Sequence, residues 1–251
     1  MRKKKRLGQH FLHEKYYLTK IAESCPIENK EVLEIGAGTG NLTEYLAKKA
    51  KKVYAIEKDP DAAKILIEKS IPGVDVIIAD ILELNLNFFK EGIAAGNLPY
   101  YISSRILRKF LKYREKFEAG CFLLQREVAL RFATPKGRQT TPLSILLHNY
   151  YIPEIRLIIP PGAFTPPPRV ESSFVVFTRR NSPLFEVPLD EFEKFLRVAF
   201  SNRRKTLFNN LKTAYPESSL NFPKKLRAEE LNLEGFVRIF SDIMIKNEKK
   251  I

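Results

Sequence analysis

Residues 32 to 40 read Val32-Leu33-Glu34-Ile35-Gly36-Ala37-Gly38-Thr39-Gly40, an apolar strand that breaks into three glycines at the head of a helical pattern. Glycines at such a turn admit positive φ and let a ligand lie against bare backbone. The spacing is G-x-G-x-G; Asn41 stands where the dinucleotide fingerprint G-x-G-x-x-G has its last glycine, which disfavours a nicotinamide or flavin enzyme. Outward from this loop, short apolar runs at 31–35, 52–56, 74–79, 93–96 and 120–124 alternate with amphipathic stretches. Leu42, Tyr45 and Leu46 recur at helical steps, a second helix is expected after Pro60, and a third after Ser103. This alternation predicts an α/β fold, a Rossmann-like parallel sheet with helices on both faces.

The charges around the loop narrow its ligand. Glu34, two residues before Gly36, would repel a pyrophosphate by about 1 to 4 kcal/mol per charge pair near 4 Å and would attract a cation. Glu57 and Asp80 end the next two strands, at the sheet edge where this fold binds ligands. Glu57 is placed to accept from ribose hydroxyls and Asp80 from an adenine amine. A nucleoside that carries positive charge and no phosphate satisfies all three carboxylates. S-adenosylmethionine, with its sulfonium and ammonium, is such a molecule.

Asn97-Leu98-Pro99-Tyr100 follows the fourth strand at the same edge. An aromatic amine such as adenine N6 is a poor nucleophile because its lone pair is delocalised into the ring. If the Asn97 side-chain oxygen and the main-chain carbonyl of Leu98 or Pro99 each accept one N6 hydrogen, the nitrogen is drawn toward tetrahedral geometry and the lone pair is freed. It can then attack a methyl group by simple displacement, aided by orientation and fixed dipoles, with no base removing a proton first. Pro99 stiffens the turn, and Tyr100 offers a flat face for an extruded base.

The chain of 251 residues carries 43 Lys+Arg against 29 Asp+Glu, a net +14 that suits a polyanionic partner. Seven basic residues fall in the first twenty. Further clusters at Arg105, Arg108 and Lys109, at Lys136 and Arg138, and at Arg203 to Lys205 are candidate phosphate contacts. Cys25 and Cys121, without Cys or His neighbours at ligand spacing, support neither a disulfide framework nor a zinc site. No apolar run reaches the length of a membrane span, so a cytoplasmic protein is expected. Strand patterns recur at 155–159 and 172–177 around the stiff Pro160 to Pro168 stretch, which is expected to shape one wall of the site. After Pro183 the pattern turns helical, with Phe192, Phe195, Leu196, Ala199 and Phe200 on one stripe. The expected division is a methyltransferase domain with a basic N-terminal arm over 1–181 and a small helical domain over 182–251.

Taken together, the glycine loop, the two strand-end carboxylates and N-L-P-Y resemble adenine N6 methyltransferases. Lys4-Lys5-Arg6-Leu7-Gly8-Gln9-His10-Phe11-Leu12, Pro161 to Ser172 and Ala199 to Leu207 narrow the resemblance to the KsgA family of ribosomal RNA adenine dimethyltransferases, over nearly the whole chain. The resemblance implies dimethylation of N6 of two adjacent adenines near the 3′ end of small-subunit ribosomal RNA in an assembling subunit, by a monomer. It implies a cofactor pocket lined by His10, Leu12, Gly36, Gly38, Glu57, Asp80 and Asn97, with Phe164 as a second stacking face for the target base. Relatives usually carry Gln-Asn-Phe-Leu where this chain has Gln9-His10-Phe11-Leu12, so at residue 10 the implied contact is a main-chain one. Two other functions share parts of this pattern: a large-subunit enzyme of the erythromycin-resistance type, and a non-catalytic RNA-binding assembly factor that keeps the fold.

Overall fold

A computed structural model describes residues 10–134 and 137–248, with side chains described as far as Lys246. The basic arm at Arg2 to Arg6 and Lys136 lie outside the described residues. In chain order the elements are β1 (Phe11–Leu12), α1 (Lys15–Ser24), β2 (Glu31–Ile35), α2 (Thr43–Leu46), β3 (Lys52–Glu57), α3 (Pro60–Glu68), β4 (Val74–Ile78), β5 (Gly92–Asn97), α4 (Ser103–Lys112) and β6 (Phe117–Gln125). They continue with α5 (Arg126–Ala133), α6 (Pro142–Tyr150), β7 (Tyr151–Ile159), β8 (Phe164–Thr165), β9 (Ser172–Arg179), α7 (Leu189–Ala199), α8 (Leu207–Leu211) and α9 (Leu233–Glu248).

Two compact units result, one built from the chain up to Leu130 with Ile152–Arg179, the other from Arg131–Tyr151 with Arg180 onward. The first holds a seven-stranded sheet in the order β4-β3-β2-β5-β6-β9-β7. β2 lies between β3 and β5, parallel to both, with Glu34 opposite Ala55 and Ala95. Its run Val32, Leu33 and Ile35 is buried, as a strand covered on both faces must be. The sheet is mixed rather than wholly parallel, because β9 pairs antiparallel with β6. Alternating strand and helix patterns specify parallel crossovers, and no helix pattern separates the last two strands, which the proline-rich segment joins. A second, two-stranded sheet pairs β1 with β8, Leu12 opposite Phe164.

α3 starts where its sequence dictates: Pro60 occupies the first turn and the Asp59 carboxylate caps the Asp61 N–H at 3.0 Å. Phe110 of α4 packs against Phe117 and Phe122 of β6, with ring centroids 5.3 Å apart in each pair.

The second unit packs Phe192 and Phe195 of α7 against Phe240 of α9 at 5.2 and 5.4 Å between centroids. It also includes α6, so its limits differ from the expected 182–251. Leu143, Ile145, Leu146, Leu147 and Tyr150 of α6 are all buried. A helix apolar on nearly every side needs partners on more than one face and cannot serve as an outer layer on a sheet.

Candidate active site

The carboxyl ends of β2, β3 and β5 converge because glycine lets them. At Gly96 φ is 157°, and a Cβ there would lie 2.3 Å from the Ile35 carbonyl oxygen, so only glycine lets β5 press against β2 at this point. The next residue, Asn97, is thereby brought beside the glycine loop. At Gly38 φ is 57° and a Cβ would meet the Phe11 ring at 2.8 Å. The Gly38 N–H donates instead to Glu57 Oε2 at 2.8 Å, while Glu57 Oε1 accepts from the Asp59 N–H at 2.7 Å. The buried Glu57 carboxylate is thus fixed by two main-chain donors, and each oxygen retains a second lone pair for a ligand hydroxyl.

Asp80 is held likewise: Oδ1 accepts from the Leu82 N–H at 2.9 Å and Oδ2 from Lys58 Nζ at 2.7 Å. The Lys58 ammonium holds the Asp80 carboxyl below its ordinary range. Glu34 is different. It is 1% exposed, and its Oε2 has no hydrogen-bond partner. Burial pushes its pKa up to about 7, and the nearby Glu57 charge adds to the rise.

Asn97 Nδ2 donates to the His10 carbonyl at 2.6 Å. That bond sets which way the amide faces, and Oδ1 is left as the acceptor. The Pro99 carbonyl accepts from the Ile102 N–H at 3.1 Å, whereas the Leu98 carbonyl accepts no backbone bond among the described residues. Of the two main-chain candidates, Leu98 is therefore the one left open. The Tyr100 hydroxyl bonds to Ser172, and its ring stacks on His10 with centroids 5.5 Å apart. The His10 Nδ1–H donates to the Pro166 carbonyl at 2.7 Å.

These groups surround a cleft of about 790 Å3, its open mouth included, to which His10, Gly36, Gly38, Glu57, Asp80 and Asn97 all contribute. Leu98, Pro99 and Tyr100 line it too. A smaller space of about 340 Å3 shares Phe11, Gly36 and Asn97 with it and is bounded further by Leu12 and Glu34. Every expected cofactor residue thus borders one cleft or the other. Phe164 does not: it is 2% exposed and packed in the core cluster with Leu12, Ile159 and Phe174. Its ring presents no open face for a target base in this structure, because pairing of β8 with β1 turns it inward. Ile56, Ile81 and Ile106, which give the cleft its apolar walls, were not singled out by sequence, since each also fits an ordinary core position. Two expected phosphate contacts are otherwise engaged: Lys109 bonds to the Leu84 carbonyl, and Arg203 to the Arg138 and Thr140 carbonyls.

The donor set tests which ligand fits. A bare backbone at Gly38, a carboxylate at Glu57 with a lone pair to spare on each oxygen, an acceptor at Asp80 and a buried carboxylate at Glu34 with one unpartnered oxygen match an adenosyl group bearing positive charge. They do not match a pyrophosphate. Fold and site together define an S-adenosylmethionine-dependent methyltransferase of the Rossmann-like class.

Residues 1–243 match the family model described as Ribosomal RNA adenine dimethylase. The chain belongs to that family. It is 34% identical to the Ribosomal RNA small subunit methyltransferase A of Mycoplasmopsis pulmonis, over 97% of this chain and 100% of the relative. The Cytophaga hutchinsonii protein of the same name is 37% identical over 93% of this chain and 94% of its own. Among solved structures, a dimethyladenosine transferase from Plasmodium falciparum superposes with a TM-score of 0.80 and 26% identity, covering 96% of this chain and 99% of that one. The 23S rRNA methyltransferase ErmE gives 0.73 and 26%, covering 93% and 99%. Among the described residues no helix is long and apolar enough to cross a membrane.

Proposed function

We propose that this protein transfers methyl groups from S-adenosylmethionine to N6 of two adjacent adenines near the 3′ end of small-subunit ribosomal RNA, two per adenine, acting as a cytoplasmic monomer on an assembling subunit. The observation that carries the catalytic part is the amide of Asn97, committed through Nδ2 to the His10 carbonyl so that Oδ1 is left as an acceptor, in a cleft also lined by Leu98, whose carbonyl accepts no backbone bond among the described residues. Two fixed acceptors of this kind suit the two hydrogens of an exocyclic amine. Holding both draws the nitrogen toward tetrahedral geometry, and the dipoles need no reorganisation when positive charge develops on it. The cofactor, when bound, supplies an electrophilic methyl group on a sulfonium. Glu57 and Asp80 orient its nucleoside half, and Glu34 faces its cationic end. Tyr100, clamped by Ser172 and His10, offers one rigid flank for the base. The proton left on the methylated nitrogen departs to water, so no side-chain base is required.

The likeness to ErmE supports a second reading, methylation of large-subunit RNA. Transfer of tritiated methyl groups to isolated small and large subunits from cells lacking the protein separates them. Dimethyl marks on two adjacent small-subunit adenines are expected. Label confined to the large subunit overturns the first reading, and no label on either favours a non-catalytic assembly factor.

A further inference from the structure

Beside the half-buried, hydroxyl-bonded Tyr100 stands Tyr101, 62% exposed although it borders the cleft. It borders the cleft together with Asp80 and Lys58, and the Lys58 ammonium, bonded to Asp80, also interacts with the phenol. The same cleft is lined by the apolar side chains of Ile56, Ile81, Ile102 and Ile106 and by the Asp80 carboxylate. An exposed aromatic ring bordering a cleft of apolar side chains that also holds a hydrogen-bond acceptor is complementary to a flat heteroaromatic ring that carries an N–H donor. Both Asp80 oxygens already accept one bond each, from Leu82 and Lys58, and each keeps a lone pair for a further donor.

We propose that Tyr101 is a lip of the cofactor cleft that covers the adenine of S-adenosylmethionine, making it a positioning residue for cofactor retention rather than part of the catalytic turn. The proposal rests on the methyltransferase reading above and deepens it. It explains why one of two consecutive tyrosines is locked while its neighbour is left open. The locked ring serves the target base, and the open ring serves a ligand that must leave and be replaced between successive methyl transfers. A ring that is 62% exposed at the cleft border is compatible with such exchange.

The chain contains no tryptophan, so Tyr101→Trp installs a single indole reporter at the lip. The protein is titrated with S-adenosylhomocysteine in the absence of RNA, following indole emission, with calorimetry on the parent, Tyr101→Trp and Tyr101→Ala run in parallel. Emission is expected to change along the calorimetric isotherm, and Tyr101→Ala to bind roughly tenfold more weakly, the scale of a lost base–aromatic stack. Methionine alone, lacking the base, is expected to leave emission unchanged. Calorimetric binding without an emission change, or equal affinity of Tyr101→Ala and parent, overturns the proposal. So does an emission change that appears only when RNA is added, which assigns the ring to the RNA strand. Absence of any binding to the parent refutes the methyltransferase reading itself, an outcome distinct from these.

Discussion

Removing the charge of Glu34 should stabilise the cofactor-free protein, and only on the alkaline side. In the unfolded chain this carboxyl titrates near the ordinary 4.5, whereas in the fold it titrates near 7. Below about pH 4.5 it is protonated in both states and carries no penalty. As pH rises toward 7 the unfolded chain ionises first, so the folded state loses stability over that window. Above about pH 7 both states are ionised and the loss is constant. A shift from 4.5 to about 7, at about 1.4 kcal/mol per unit, sets its full size on the order of 3 kcal/mol. Urea denaturation of the parent and Glu34→Gln between about pH 4.5 and 8 should therefore give curves that coincide in acid and diverge through neutrality, the variant ending more stable. Curves that stay parallel across the range would show that the carboxylate is not strained by burial and sink the reasoning. S-adenosylhomocysteine should narrow the gap, because its ammonium lowers the cost of the ionised form.

Asn97→Ala should keep cofactor affinity within a few-fold while slowing methyl transfer by about a hundredfold or more, measured as single-turnover rate against calorimetric Kd. Glu57→Ala should do the reverse, weakening cofactor binding first, because it removes the two-point anchor seen at Gly38 and Asp59. Gly96→Ala should cost more than about 3 kcal/mol or abolish folding, as its Cβ would meet the Ile35 carbonyl at 2.3 Å; a melting temperature equal to the parent's would contradict this. RNA affinity should fall with salt at a log–log slope of about −3.5 to −4.5 if roughly five phosphates are neutralised, and a slope near zero would remove the basic face from the interaction.

The parts of the site that write themselves into local sequence were legible. Gly36 and Gly38 announce a bare-backbone turn, Glu57 and Asp80 end apolar runs, and Asn97 to Tyr100 follow a strand, so each is marked in local sequence, and the fold brings all of them to one cleft. What escaped depends on contacts between distant segments. β1 and β8 are two residues each and lie about 150 positions apart, too short to show a period. Phe164 read as a free aromatic because nothing in its neighbourhood reveals the strand that turns it inward. The α6 segment carries an apolar pattern without a clear polar face, and such a pattern does not say which body of the protein will enclose it. N-L-P-Y marks Asn97 as a candidate catalytic residue, yet its partner, the His10 carbonyl, is a main-chain atom, which every residue type supplies alike.

That last contact has a consequence for how the site tolerates change. Because the amide is steered by a backbone oxygen, no exchange of side chain at position 10 can delete its partner, and imidazole there is as serviceable as a carboxamide. The vulnerability is to register instead: adding one residue between His10 and the β1–β8 pairing at Phe11 would slide the oxygen away and let the amide turn.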